Sequence, residues 1–339
     1  MTGQVIEERR GQYIILGEAG EVTATLKGIF YHEAEDAGDF PCVGDFVEFE
    51  LNDNGPSRIS KLLPRRTKFS RADFSGHKAE YVKNIKEQVV AANFDYVFIL
   101  TSLNRDFRIS RILRYLSQSL QSGAQPVIIL TKADLTEDFN PQTDEVKKYA
   151  PDVPVHAISS HTGFGLDALQ EYLKPGKCIV FLGMSGVGKS SLLNALAGEE
   201  LMEIKETRRE DSSKGSHTTT HRQLFTLPTG TMVIDTPGMR ELGLYDAEDG
   251  ISIGFADVED LFTQCKFNNC RHEKEPGCAV RKALRDGTLA ESHWEAYLKQ
   301  QRENKFVESK ADFMRQKNER HKSITRHFRA VSKNNRKVK

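Results

Sequence analysis

The chain has 339 residues, enough for two or three domains, and carries 48 Lys and Arg against 48 Asp and Glu, so its formal net charge is zero. A zero average neither names nor excludes a polyanionic partner, and charge has to be read segment by segment. No apolar run approaches about 18 residues, which excludes a membrane-spanning helix. Met1–Glu8 lacks the basic-then-apolar order of a secretory signal, so the expectation is a cytoplasmic protein. Three of the five cysteines cluster, which points to a metal site rather than disulfides.

Taken in order, residues 1–66 predict an OB-like β-barrel. Gln12–Leu16, Glu21–Leu26 and Asp45–Glu50 carry β-formers, and Gly17, Gly20, Gly28 and Gly44 punctuate them. OB-folds often bind RNA, but this segment is rich in Glu and Asp, so an electrostatic RNA grip by the barrel is not expected. Between 63 and 90 the balance turns basic, with Arg65, Arg66, Lys68, Arg71, Lys78, Lys83 and Lys86. That stretch reads as a linker that either touches phosphate or is simply solvated.

Residues 67–247 predict an α/β domain. Apolar runs at Tyr96–Leu100, Val127–Leu130, Val155–Ile158, Ile179–Leu182 and Met232–Ile234 look like interior strands, and the segment Ile109–Leu116 has helical spacing. This alternation implies a parallel sheet covered on both faces, with ligands beyond the carboxyl ends of the strands.

The strongest motif sits at one such end. Gly183-Met184-Ser185-Gly186-Val187-Gly188-Lys189-Ser190 reads G-x-x-x-x-G-K-S, between an apolar strand and a helical stretch opening at Ser191. The glycines let backbone N–H groups face phosphate oxygens, and the new helix adds its positive end. Lys189 is expected on the outer phosphates and Ser190 on magnesium. Thr131-Lys132-Ala133-Asp134 follows another strand. Asp134 can accept two hydrogen bonds from guanine, a pair adenine cannot offer, and the Lys132 stem can lie along the purine. Ser159 and Ser160 follow a third strand, where backbone N–H groups can meet the guanine oxygen. Asp235-Thr236-Pro237-Gly238 follows a fourth. Asp235 suits water-mediated magnesium binding, and the Gly238 N–H suits the γ-phosphate. Upstream, Thr219 or Thr218 is expected to complete the magnesium shell. In ordinary small GTPases the phosphate loop comes first and the base-selecting Asp later. Here the base motifs come first, which predicts a circular permutation.

Residues 248–339 predict an α-rich unit. Cys265, Cys270, His272 and Cys278, at C-x4-C-x-H-x5-C spacing, make a closed four-ligand set, hence one structural Zn2+. Cys42 and Cys178 stand apart and suit a core. The stretch from Lys322 to Lys339 has no acidic residue and suits RNA.

The permuted order together with the cysteine cluster resembles the circularly permuted, small-ribosomal-subunit-dependent GTPases, the RsgA family, over nearly the whole length. That resemblance implies GTP with Mg2+ as substrate, hydrolysis stimulated by the small (30S) subunit, contact with its rRNA, a role late in that subunit's maturation, and a monomer without a membrane. Three departures stand out. Thr131 replaces the asparagine that tethers neighbouring loops in GTPases generally, which predicts modest nucleotide affinity. Ser216 replaces an arginine usual before His217. Met239 occupies the place of the water-orienting glutamine, which predicts slow intrinsic hydrolysis and makes His217 the candidate catalytic replacement, beside Lys189 and Thr219. Two rival readings remain: a P-loop ATPase or kinase in which Thr131–Asp134 is incidental, and an RNA-binding module with a static nucleotide.

Overall fold

Alternating burial along short, turn-bounded strands builds the first unit. β1 (Thr2–Arg9), β2 (Gln12–Gly17) and β3 (Gly20–Leu26) run antiparallel in succession, and β4 (Phe46–Glu50) and β5 (Ser57–Leu62) follow a short helix, α1 (Gly28–Glu33). The computed structural model describes residues 1–309 apart from 10, 19, 35–36, 53, 74–85, 105–106, 203–221 and 236–243. Strand β3 pairs with β5 in parallel, β5 with β4 and β4 with β1 antiparallel, so the order 1-2-3-5-4-1 closes a barrel. Val5, Ile15, Val47, Phe49 and Ile59 fill its interior. The Asp45 carboxylate, fully buried, is held by a two-pronged pair with Arg65 at 2.8 and 2.6 Å and by the Cys42 N–H at 2.8 Å.

The basic stretch after the barrel is more than a linker. β6 (Lys68–Asp73) pairs antiparallel with β7 (Lys86–Ala92). Phe69, Val89 and Val90 are buried there, so tertiary packing supplies what the local pattern lacks. The Asn93 side chain, in left-handed backbone, accepts from the Arg66 N–H and donates to the Gly44 carbonyl, joining this ribbon to the barrel.

The second unit is an α/β sheet. β8 (Tyr96–Ser102), β9 (Gln125–Thr131), β10 (Val155–Ala157), β11 (Cys178–Leu182) and β13 (Met232–Asp235) are parallel, and β12 (Gln223–Thr226) lies antiparallel at an edge. The order is β10-β9-β8-β11-β13-β12, and β12 touches β1 of the barrel at Glu7 and Gln223. Consecutive residues face opposite cores. Val97, Ile99, Val180 and Leu182 pack under α2 (Ile109–Gln121) and α3 (Asn140–Tyr149), while Phe98, Leu100, Ile179 and Phe181 pack under α4 (Lys189–Ala197). A sheet buried on both faces explains why its strands read as unbroken apolar runs.

The first of these cores continues into a helical unit of α5 (Glu248–Gly254), α6 (Ala256–Thr263), α7 (Ala279–Asp286) and a helix over 291–309, α8. Phe255, Val258, Val280 and Tyr297 belong to the same buried cluster as the sheet. Among the described residues no helix is long and apolar enough to cross a membrane.

Candidate active site

Because β8, β9, β10, β11 and β13 are parallel and in register, their carboxyl ends lie along one edge, and the sequence-predicted motifs sit there together. Gly183 leaves β11 with φ of 154°, Gly186 follows at 79° and Gly188 at 106°. A Cβ on Gly183 would lie 2.6 Å from the Leu100 carbonyl, so this turn admits only glycine. Gly188 caps α4, which starts at Lys189. Met184, Ser190 and Ser191 are half-buried, Ser185 is exposed and Val187 is buried under the loop. The Lys189 ammonium lies across the loop, donating to the Gly183 and Met184 carbonyls at 2.7 and 2.9 Å. Asp235 ends β13 opposite Phe181, beside the strand that feeds the loop, and is buried.

Two residues of the base-reading motif grip the phosphate loop. The Thr131 hydroxyl, 2% exposed, donates to the Val187 carbonyl at 2.6 Å, with the Thr101 carbonyl further off at 3.3 Å. Lys132, in left-handed backbone, donates through Nζ to the Gly186 carbonyl at 2.8 Å. Threonine therefore supplies an inter-loop tether of the kind expected of asparagine, with one hydrogen where the amide has two. Asp134 stays exposed at the rim. The Ala133 N–H donates to the Ile158 carbonyl at 3.0 Å, which sets Ser159 and Ser160 beside the base-reading turn. Ser159 is buried, and its hydroxyl accepts from the His161 and Thr162 N–H groups, shaping that loop. Thr219, His217 and Gly238 lie outside the described residues, as do Thr218, Ser216, Met239 and the basic tail.

The second cluster forms as predicted. Ligand atoms of Cys265, Cys270, His272 and Cys278 all lie within 4.8 Å of one another. The His272 Nδ1 is 3.6 Å from the Cys265 Sγ and 3.5 Å from the Cys278 Sγ, and those two sulfurs are 4.0 Å apart. Tetrahedral zinc, with Zn–S of about 2.3 Å and Zn–N of about 2.0–2.1 Å, sets S···N edges of about 3.6 Å and S···S edges of about 3.8 Å. The donor set fits that ion. Burial resists ionising Cys265, but N–H groups of Ala279 and Val280 and the neighbouring thiols outweigh it and hold its pKa below the ordinary value. Burial and the adjoining thiols push Cys270 up to about 11, while burial lowers His272, a shift toward the neutral imidazole that metal ligation requires. Phe262 stacks on the His272 ring at 4.3 Å, and Trp294 meets its edge.

Sequence reasoning missed the Glu275 carboxylate, which organises the ligand loop by accepting N–H bonds from Arg271, Glu273 and Lys274 at 3.0 Å each. Those bonds, the Arg271 one foremost, pull its pKa to about 2. The surrounding Pro-Gly turn was the available signal.

Comparison with known proteins accords with this geometry. The RsgA GTPase family model matches residues 62–245. An ABC transporter model matches 166–338, a span that includes the phosphate loop. A small ribosomal subunit biogenesis GTPase RsgA 1 from Listeria innocua is 44% identical over 330 residues, covering 96% of this chain and 91% of that protein. The protein named small ribosomal subunit biogenesis GTPase RsgA from Syntrophotalea carbinolica is 43% identical, covering 89% of this chain and 83% of its own length. Among solved structures, YjeQ from Thermotoga maritima superposes with a TM-score of 0.61 at 28% identity, covering 88% of this chain and 96% of that one. YloQ, described as a circularly permuted GTPase, superposes with a TM-score of 0.55 at 26% identity, covering 92% and 95%.

Proposed function

This chain belongs to the RsgA family of GTPases, and on that premise we propose that its nucleotide state sets its residence on the small ribosomal subunit during late maturation of that particle. The single observation that carries the reading is the grip of Thr131 and Lys132 on the carbonyls of Val187 and Gly186. It makes the base-reading and phosphate-reading loops one rigid receptor for a guanine nucleotide, although they stand in permuted order.

Within that receptor Asp134 selects guanine and Ser160 brings its N–H to the guanine oxygen; the Ser159 N–H, expected there as well, is instead donated to the Phe164 carbonyl at 2.9 Å, so Ser159 shapes the loop. Residues 183–191 wrap the phosphates, with Lys189 neutralising charge on the outermost two. Ser190, Asp235 and Thr219 hold the Mg2+ that accompanies GTP, and the Gly238 N–H reads the third phosphate. The metal supplies charge neutralisation between the phosphates. His217, positioned by the ribosome, orients the attacking water. Cys265, Cys270, His272 and Cys278 hold one structural Zn2+, which supplies cohesion to a ligand loop too small for a core of its own. We assign the domains as 1–66, 67–247 and 248–339, with the basic tail and the cluster facing rRNA, the chain monomeric and its location cytoplasmic.

Phosphate release from GTP, measured with and without purified small subunits, tests the reading. Stimulation by the subunit is expected, and its loss in His217→Ala. A rate indifferent to subunits would favour a module with a static nucleotide, and ATP competing equally with GTP would favour the ATPase reading.

A further inference from the structure

Where the chain returns to the described residues after 236–243, it is held by side chains of α8. The Leu244 N–H donates to Glu303 Oε1 at 3.0 Å, and the Ala247 N–H donates to Asn304 Oδ1 at 2.9 Å. Both oxygens of Glu303 also receive Arg114 of α2, in a two-pronged pair at 2.6 Å each. Arg114 and Glu303 are each about a quarter exposed, so their attraction is only partly screened. Between the two anchored residues Asp246 sits in left-handed backbone at φ of 47°, a conformation an L residue keeps only when its surroundings impose it. Below, α5 meets α2 so closely that a Cβ on Gly250 would lie 2.0 Å from the Ser117 carbonyl, and the Gly250 N–H donates to Gln121. The helices around the clamp therefore cannot slide past one another without breaking it.

We propose that Glu303 is a positioning residue that couples the phosphate-reading segment to the cysteine-bearing helical unit, by holding the exit of that segment and the sheet's α2 on one α8 carboxylate. The inference rests on the proposed reading, in which Asp235 and Gly238 respond to the third phosphate. A displacement arriving at Leu244 is then passed by Glu303 to α8, whose Trp294 meets the His272 ring directly and through Phe262. Asn304 steadies the same exit at Ala247. From Leu244 onward the connection is physical: a hydrogen bond to Glu303, the continuous helix α8, and the ring contacts of Trp294 and Phe262 with His272.

The test compares hydrogen exchange of amides in 291–309 of the full-length protein with GDP and with a non-hydrolysable GTP analogue. The comparison covers wild type, Glu303→Gln, and the reversed pair Arg114→Glu with Glu303→Arg. Wild type is expected to differ by about tenfold between nucleotides, the size of an ordinary coupling. Glu303→Gln keeps an acceptor for Leu244 but loses the charge, and should shrink that difference to about twofold or less. The reversed pair keeps the helix contact but offers Leu244 no acceptor, and should lose the difference as well. Thermal unfolding and GDP affinity are followed in parallel. Unfolding that falls while the nucleotide-dependent difference stays at the wild-type size would overturn the proposal, leaving Glu303 a merely structural residue. No difference in wild type would overturn the coupling as well, and phosphate release stimulated by the small subunit, measured separately, would then tell whether the phosphate-reading premise stands.

Discussion

Replacing Thr131 with valine removes one hydroxyl while keeping the shape of the side chain, so neither a cavity nor a clash confuses the result. The lost bond is short, at 2.6 Å, and buried, and Val187 is itself buried, so its carbonyl gains no easy water. A buried acceptor stripped of its partner costs about 1–3 kcal/mol. If the loop keeps its shape, that cost appears equally with and without nucleotide and lowers only stability. If the loop relaxes to regain a partner, nucleotide binding has to restore it, and the cost appears in affinity. Between Gly186 and Gly188, both at positive φ, the loop has little stiffness of its own, so relaxation is the expected course. At about 1.4 kcal/mol per factor of ten, GDP should bind Thr131→Val about tenfold more weakly. Thr131→Asn should bind at least as tightly as wild type, because an amide has two hydrogens for the two carbonyls of Val187 and Thr101 that one hydroxyl must divide. Equilibrium titration of fluorescent GDP, well below the unfolding temperature, reads both variants. Wild-type affinity in the valine variant would refute the tether.

Asp134→Asn should weaken GTP and favour xanthosine triphosphate, because the amide can donate to the carbonyl that xanthine carries in place of the guanine amine; competition titration with both nucleotides reads the exchange. Cys265→Ser, or a strong chelator, should remove one zinc per chain and unfold the 265–278 loop, read as metal content by emission spectroscopy and as lost near-ultraviolet signal from Trp294. Asp95 accepts from Lys177 and from the Cys178 N–H at 2.9 Å each. Burial opposes its ionisation, but those bonds win and hold its pKa below the ordinary carboxylate value. Its contribution is therefore full above about pH 4, the unfolded value, and is lost as pH falls through the lower folded one. Acid unfolding of Asp95→Asn should accordingly show less pH dependence below about pH 4 than wild type, while equal acid slopes would exclude the role.

The glycine loop ahead of α4, the Thr131–Asp134 turn and the cysteine–histidine cluster were legible because each pattern demands particular residue types close together in the chain. The interior strands of the sheet were legible because burial on both faces writes unbroken apolar runs. β1 and β5 were missed for the opposite reason. Their outer faces are polar, and Glu7, Glu8, Arg58 and Lys61 interrupt the pattern, so only closure of the barrel reveals their pairing. β6 and β7 read as a basic linker because Lys68, Arg71 and Lys86 dominate a ribbon whose burial comes from elements distant in sequence. The tether made by Thr131 was not legible for a related reason. A motif compared residue by residue registers a missing asparagine, whereas the partner that makes threonine sufficient lies at Val187, on another strand's loop.

The permuted order gains a physical rationale from where the described chain resumes on either side of β12 and β13. After 203–221 it resumes at Arg222, which pairs with Glu8 of the barrel at 3.4 Å, and Gln223 pairs with Glu7. An antiparallel strand at a sheet edge is otherwise an open template for aggregation, so covering β12 with β1 protects the edge as well as attaching the barrel. After 236–243 the chain resumes at Leu244, on Glu303 of α8. The two segments assigned to the third phosphate thus lead to different neighbours, one to the barrel and one to the cysteine-bearing helices. An unpermuted chain would leave instead from the β10 side, at the far edge of the sheet. Cutting the fold near β10 and starting it at β8 leaves the β13 side to continue into the helical unit, where Leu244 is held by Glu303, and leaves β12 beside the barrel, where Arg222 is held by Glu8.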